Sequence, residues 1–548
     1  MDASDTYDYV IVGAGSAGCA LAYRLVESGA RVALLEAGGS ARSFRLRIPA
    51  GLAMMAPGYN WRYEAEPDPT RDGFVDHWAA GRVVGGSSSI NGMVFVRGNR
   101  ADYDAWADDG CIGWDYESVL PYFKRLETYE QGGDPRYRGR SGPQQVARMR
   151  VDHLLTDAFI EAAQEAGHAY NEDYNGAEQL GVSRGQLTQK GGLRHSVALA
   201  YLSKAKRSPN FTLVKHAMVE RVLFDGTRAV GVAFNQRGIP GRAQATREVI
   251  LSAGAIASPK LLLLSGVGSD DTLRDHRIDV VCDVPGVGQN LQEHLYATLQ
   301  FAVTERTLNR YFTPRKMIES GLDFLVNRRG PLTAAFAHVV LFGSVDHSPH
   351  PVDYQTFFAP LGVTSETGES DWPHTTASGR HDVNAMKLMN IPAVTILPSI
   401  VHSKVRGEIT LRSRNPADSP VIRHALLSDP DDIEMLLTAA RNVREIMAAP
   451  PMKGYVRSEV LPGDGVQTDA EWLEYLRVHA FRGEHPCGTC RMGVDALAVV
   501  DPRLRVRGVE ALRVADASIM PRLPSGNTNA PAIMIGEKCA DLVLEDAT

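Results

Sequence analysis

Two residues near the end of the chain carry side chains suited to handling a proton and an oxygen. His485 stands in His485-Pro486-Cys487-Gly488-Thr489-Cys490-Arg491-Met492-Gly493, and Asn529 in Ser525-Gly526-Asn527-Thr528-Asn529-Ala530-Pro531. A free imidazole titrates near pH ~6.5, so a histidine can accept a proton at working pH. Such a base is worth ~10²–10⁴ in rate. An amide is no base at neutral pH, but it can hold an oxygen by hydrogen bonding. At the other end of the chain, Gly13, Gly15 and Gly18 follow an apolar run. A dinucleotide grip plus a base and a hydrogen-bond donor outlines a redox enzyme. Blander roles compete: a lone histidine is more often structural, and Asn529 is placed to cap the helix that Pro531 would start.

The elements that must position these groups are legible in part. Tyr7 to Val12 has the pattern of a buried strand, and Gly13-Ala14-Gly15-Ser16-Ala17-Gly18 turns from it into a helix. Ala20, Leu21, Leu25 and Val26 give that helix an apolar stripe, and Gly29 is a good stop. Arg31 to Leu35 is a second strand ending at Glu36, closing a βαβ unit of about thirty residues. Gly13 allows the tight turn, Gly15 a close backbone approach to a pyrophosphate, and Gly18 close helix packing. The helix N-terminus, at Ser16 and Ala17, offers N–H groups and partial positive charge to phosphates. Glu36 would accept from ribose hydroxyls and repel a 2′-phosphate, which disfavours NADP but does not separate NAD from FAD.

Further along, 211–255 is expected to form short strands with a hairpin around Asp225-Gly226, and Glu248 to Ala253 a buried strand. Ser258 to Leu264 is expected as a helix with Pro259 in its first turn. Residues 130–146, rich in Gly, Pro and Arg, are expected as a surface loop or boundary.

The chain of 548 residues exceeds one ordinary core, so two or three domains are expected. It is 44% hydrophobic and 22% charged, which is a globular balance. A net charge of −7 argues against nucleic acid as a partner. Six cysteines make no disulfide framework. The acidic start lacks a signal-peptide pattern, and no apolar run reaches the ~18 residues of a membrane span. A cytoplasmic protein is expected, with peripheral membrane contact left open. Oligomeric state is open too.

Gly81-Arg82-Val83-Val84-Gly85-Gly86-Ser87-Ser88-Ser89-Ile90-Asn91, continuing through Phe95, Gly98 and Asp104, resembles the first signature of the glucose–methanol–choline (GMC) oxidoreductases. Gly254 to Leu262, ending Ser265-Gly266-Val267-Gly268, resembles the second, and Pro285 to His294 and His485 to Asp541 follow in the family's order. The resemblance implies an α/β protein (α+β overall). Its discontinuous, Rossmann-like FAD-binding domain would span 1–150, 200–300 and 484–548. An inserted substrate domain of antiparallel sheet plus helices would span 151–199 and 301–483. It implies FAD as cofactor and oxidation of an alcohol, the electrons going to oxygen or a quinone-like carrier. By the same resemblance Gly13, Gly15, Ser16, Ala17, Gly18, Glu36 and Ala37 hold the ADP half. Arg82, Gly86, Ser87, Asn91, Gly92, Met93 and Val94 lie beside the phosphates and flavin. Val219 meets the adenine through its backbone, and Asp516 and Ala517 lie near the pyrophosphate and ribityl chain. His485 matches the catalytic histidine and Asn529 the second catalytic position.

Some relatives attach FAD through a histidine at the position of Ile90, so noncovalent FAD is expected. Gly483 and Glu484 replace bulky apolar residues, which predicts a roomier, more polar pocket for a larger alcohol. His294 is expected to be structural. Cys487 and Cys490 are expected to pack near the flavin rather than bind metal, and no metal site is expected. The histidines scattered from His338 to His402 suggest substrate-domain surface and pocket wall. Hydroxynitrile lyase chemistry on the same fold, a non-catalytic flavin protein and an NAD-linked dehydrogenase are the alternatives.

Overall fold

The computed structural model describes residues 6–50, 57–364, 380–381 and 387–547. Residues 1–5, which hold most of the acidic start, and His374 lie outside them. The first core is a seven-stranded sheet. Its order is β3 (Phe211–Lys215), β2 (Val32–Glu36), β1 (Thr6–Val12), β6 (Ile239–Leu251), β5 (Arg228–Gln236) and β4 (Ala217–Asp225). A seventh strand, β7 (Leu512–Val514), pairs with the end of β6. β3, β2, β1, β6 and β7 run parallel, while β5 is antiparallel to both β6 and β4. Every residue of β2 is buried, as a parallel strand covered on both faces requires.

Helix α1 (Ser16–Glu27) leaves β1 through the glycine turn and packs on α4 (Asn529–Asp546), the last helix of the chain. The contact is close: a Cβ on Gly536 would sit 2.3 Å from the Ala17 carbonyl oxygen. Arg24 pairs with the buried Glu537 at 2.7 Å, and Arg125 reaches the same carboxylate.

Helix α2 (Gly254–Leu264) begins four residues before the expected Ser258, so Pro259 lies inside it. Two distant groups make this workable. Asp516 accepts from the Gly254 N–H (2.9 Å) and the Ser258 hydroxyl (2.6 Å). Proline has no N–H for the Ala255 carbonyl, and the Thr489 hydroxyl donates to that oxygen instead, at 2.5 Å.

The second core is an eight-stranded antiparallel sheet. Its main path runs Val456–Leu461, Leu299–Val303, Ala393–Ile400, Tyr354–Ala359, Val339–Gly343 and Gly181–Arg184. Leu154–Glu165, Pro430–Ala448 and Asp469–His479 cover it as helices, burying Trp472. Leu295–Tyr296 already pairs with Ala393–Ile400 and Phe481–Arg482. Ile409 and Ile422 pack with Ile256 and Leu291, not with the second core. A further helix, α3 (Pro314–Asn327), lies on the outside. The loop 130–146 is not all surface: Arg138 is buried on Glu127 at 2.8 Å. No helix among the described residues is long and apolar enough to cross a membrane.

Candidate active site

A cleft of about 810 Å³ is lined by Glu36 and Val219, by Ser16 and Asn529, and by His485 and Asn527. That volume is in the range of small-molecule and cofactor sites. Every residue expected to hold the cofactor lines it except Gly18. Gly18 faces inward, where a Cβ would meet the Gly13 carbonyl oxygen at 2.1 Å. Gly13 itself has φ +101° and Ser252 oxygen 2.4 Å from its Cβ position, so no other residue fits the turn. The first bond of α1 runs from the Cys19 N–H to the Gly15 carbonyl (3.0 Å), which leaves the N–H groups of Ser16, Ala17 and Gly18 without helical acceptors at the cleft.

Glu36 does more than wait for a ribose. Its oxygens accept from the Ala14 N–H (3.0 Å) and the Gly38 N–H (2.7 Å), bracing the glycine turn. Burial pushes its carboxyl up to about 7. Arg82 lies over the Trp61 ring at 4.7 Å. Asn91 accepts from the buried Arg194 (2.8 Å) and from the Met93 N–H (3.1 Å). No sequence signal marked Arg194. Met93, at φ +66°, is one of two non-glycine residues of the cleft in the left-handed region; Glu484, at φ +62°, is the other. Ile90 is buried against Leu46 and Val83.

At the far end His485 is held on three sides. Its backbone N–H donates to both oxygens of Glu293, at 2.8 and 2.9 Å. Its Nδ1 lies 3.0 Å from His294 Nδ1, away from the cleft, and its Nε2 lies 2.9 Å from Asn527 Nδ2, which lines it. Burial lowers the imidazole to about 4, so it is neutral at ordinary pH. Burial, with Glu484 nearby, raises Glu293 to about 8. Donor atoms of Glu293, His294 and His485 fall within 4.8 Å of one another, and Glu293 accepts from the His294 N–H (2.9 Å) as well as from that of His485. His294 is buried, as expected, yet it is part of the histidine's frame and not merely structural.

Asn529 is not the cap of α4. Thr528 holds that position, and Asn529 is the first helical residue. Its Oδ1 accepts from the Ser16 hydroxyl at 2.7 Å, and its Nδ2 is buried with no partner. The first turn of α4 faces the cleft through Thr528, Asn529 and Ala532.

Gly483 creates no extra room. A Cβ there would lie 2.5 Å from Tyr296 Cε2 and 2.8 Å from His485 Nδ1, so the ring and the imidazole already fill the space. Glu484 turns to the Ala79 N–H (2.9 Å) and Arg482 (2.9 Å). Burial holds it up at about 7. Tyr296, Phe336, Phe357 and Phe481 wall this end, with Tyr296 5.3 Å from Phe481 and 6.1 Å from Phe357. Cys487 and Cys490 are buried free thiols behind the cleft, not in its wall. His338 and His402 are neither surface nor cleft wall. His338 is buried beside Thr156 (3.3 Å), and His402 is half-buried beside Ser525 (3.1 Å).

The family models for GMC oxidoreductases match residues 7–296 and 403–536. The chain belongs to the GMC oxidoreductase family. It is 43% identical to human mitochondrial choline dehydrogenase, over 99% of this chain and 90% of the relative. It is 41% identical to the oxygen-dependent choline dehydrogenase of Brucella suis biovar 1, over 98% and 95%. Among solved structures, pyridoxine 4-oxidase from Mesorbium loti superposes with TM-score 0.85 at 29% identity, covering 97% of this chain and 98% of that one. A fungal aryl-alcohol oxidase gives 0.82 at 25%, covering 99% and 100%. This GMC member is an FAD-dependent oxidoreductase acting on CH–OH donors. The cleft fits that cofactor: the bare N–H groups of α1 lie beside an orphaned amide nitrogen on Asn529, whose oxygen is held by Ser16.

Proposed function

We propose that this chain oxidises a primary alcohol to its aldehyde, with His485 as base and Asn527, whose amide lies 2.9 Å from His485 Nε2, as donor to the alcohol oxygen; Asn529, expected in that role, is turned to Ser16 instead. Bound in the cleft, FAD supplies the hydride acceptor at flavin N5. The observation that carries the reading is the orientation of His485: Nδ1 turned to buried His294, Nε2 turned to the Asn527 amide in the cleft wall, which the alcohol hydroxyl would displace from it. A neutral imidazole so held takes the hydroxyl proton at Nε2. Asn529 Nδ2, buried without a partner beside Ser16, would gain a hydrogen bond with the bound cofactor. The N-terminal turn of α4 stabilises negative charge that develops beside it. With Ile90 where an attaching histidine would stand, the cofactor is held noncovalently.

On this reading the FAD domain comprises 1–150, 200–300 and 484–548, trimmed near 295, and the substrate domain 151–199 and 301–483. Choline is the substrate we put first. The relatives' names point to it, and aromatic walls from Tyr296, Phe336, Phe357 and Phe481 suit a quaternary ammonium. Five buried cysteines and one partly buried, all unpaired, suit a reducing compartment, and we assign the cytoplasm.

The test is anaerobic mixing of the FAD-loaded protein with choline and with benzylic, furanic, pyridine-type and aliphatic alcohols, following flavin absorbance before air is admitted. Bleaching by one class names the substrate. Fast recovery in air marks an oxidase, slow recovery a dehydrogenase needing a quinone-like carrier. Absence of bleaching by every alcohol would sink the proposal and favour lyase chemistry.

A further inference from the structure

The outer face of α3 has no partner among the described residues. Ile318, Leu322, Leu325 and Val326 are 59–79% exposed. Their spacing of four, seven and eight residues from Ile318 puts them in one stripe. The opposite face buries Ser320 and Phe324. Phe44, 52% exposed on the short helix Phe44–Arg47, brings its ring to 6.4 Å from Phe324 and widens the patch. A continuous apolar surface of this kind marks a docking site more often than chance exposure.

Charge narrows the occupant. The whole chain is −7, yet 306–329 carries six Arg and Lys against two acids, and 42–47 carries three Arg and no acid. Both acids are occupied: Glu319 by Arg315 and Lys316, Asp323 by Asn327. Arg315 stands at one end of the stripe and Arg328 and Arg329 at the other, where long side chains reach past the apolar rows. A second copy of the chain would set these cations against one another. A surface of phosphates over hydrocarbon answers both features at once.

We propose that α3 docks flat on an anionic lipid surface, its apolar stripe in the headgroup boundary and its flanking arginines on lipid phosphates. This is contact with one leaflet, not a span.

The FAD-loaded full chain is sedimented with vesicles of phosphatidylcholine alone and of phosphatidylcholine mixed with phosphatidylglycerol, at low and high salt. Binding to the mixed vesicles that weakens with salt, and little binding to the neutral ones, is expected. Leu322→Gln with Val326→Gln, and separately Arg328→Glu with Arg329→Glu, should each weaken binding by about 10-fold or more. Flavin content and thermal unfolding should stay as in the parent, since all four side chains are exposed. Equal binding to neutral vesicles, no binding to either, or unchanged binding by both variants would overturn the proposal. So would light scattering that shows a dimer split by the Leu322 and Val326 changes, which would make the face a self-contact.

Discussion

His294 Nδ1 faces His485 Nδ1 at 3.0 Å, with the two rings at 79°. Two lone pairs repel at that distance and two N–H groups collide, so exactly one of these nitrogens carries the proton. If His485 keeps its lone pair at Nε2 for the alcohol, it must donate from Nδ1, and His294 must accept.

Replacing His294 tests this. Asparagine sets an acceptor where Nδ1 stood, and leucine removes it. His294→Leu should lose about 10-fold or more in kcat, within the ~10²–10⁴ a general base supplies. His294→Asn should recover most of that loss at unchanged flavin content. Nitrogen-15 NMR of labelled histidine reads the tautomer directly, and a protonated Nε2 on resting His485 would refute the assignment even without a known substrate.

Asn527→Ala should retain FAD yet lower kcat by about 10²-fold, the scale for removing one preorganised donor. Unchanged kcat with a raised KM alone would mean that the amide binds ground state and transition state alike.

Stability should fall as pH rises from about 4.5, the ordinary glutamate value, to about 8. Glu36, Glu293 and Glu484 have carboxyls raised by burial to about 7, 8 and 7. An acid whose folded pKa lies above its unfolded value stabilises the fold at low pH and loses that contribution as pH climbs through the folded pKa. Each group can contribute up to ~1.4 kcal/mol per pH unit in that window. Thermal unfolding of the FAD-saturated protein across this range should slope downward, and Glu293→Gln should flatten the slope. A parent slope that is flat or rising would contradict the burial assigned to these acids.

Gly483→Val should impair every alcohol alike rather than reorder small against bulky ones. Its Cβ meets Tyr296 and the His485 imidazole before it meets substrate. Overpacking of this sort costs about 1–3 kcal/mol. A fully active variant with a shifted ranking would show that the ring yields and that the glycine does shape the pocket.

Thr489→Val should leave the Ala255 carbonyl buried and unpaired beside Pro259. The loss is about 1–3 kcal/mol, read as a lowered Tm with kcat little changed. An unaltered Tm would mean that water or a backbone shift answers that oxygen.

How far these features were legible depended on distance along the chain. The β1–α1–β2 unit was readable because its signals are local: strand pattern, glycine spacing, helical stripe. The start of α2 was misplaced because Asp516 and Thr489, more than two hundred residues away, satisfy the groups that Pro259 leaves open. Asn529 carried the sequence pattern of a cap, and only its contact with Ser16 reveals why its side chain points elsewhere. Glu293, His294 and Asn527 gather round His485 from two other segments, and no spacing rule reports a contact 191 residues long. Gly483 suggested a void because a sequence lists what is absent at a position, not what leans in to fill it.

The pairing of α1 with α4 has a temporal side. Ser16 and Asn529 are 513 residues apart, as are Arg24 and Glu537. A ribosome makes the glycine turn long before the helix that supports it. Until α4 emerges Ser16 has no Asn529 and Arg24 no Glu537, and until β7 emerges the parallel sheet lacks that strand at its end. A nascent chain of this protein therefore carries an unfinished nucleotide cradle over that interval, and closing it is a long-loop event that local folding cannot hasten. Loss of the first half of α4 would be felt at the glycine turn, where Ser16 and Arg24 would lose their partners.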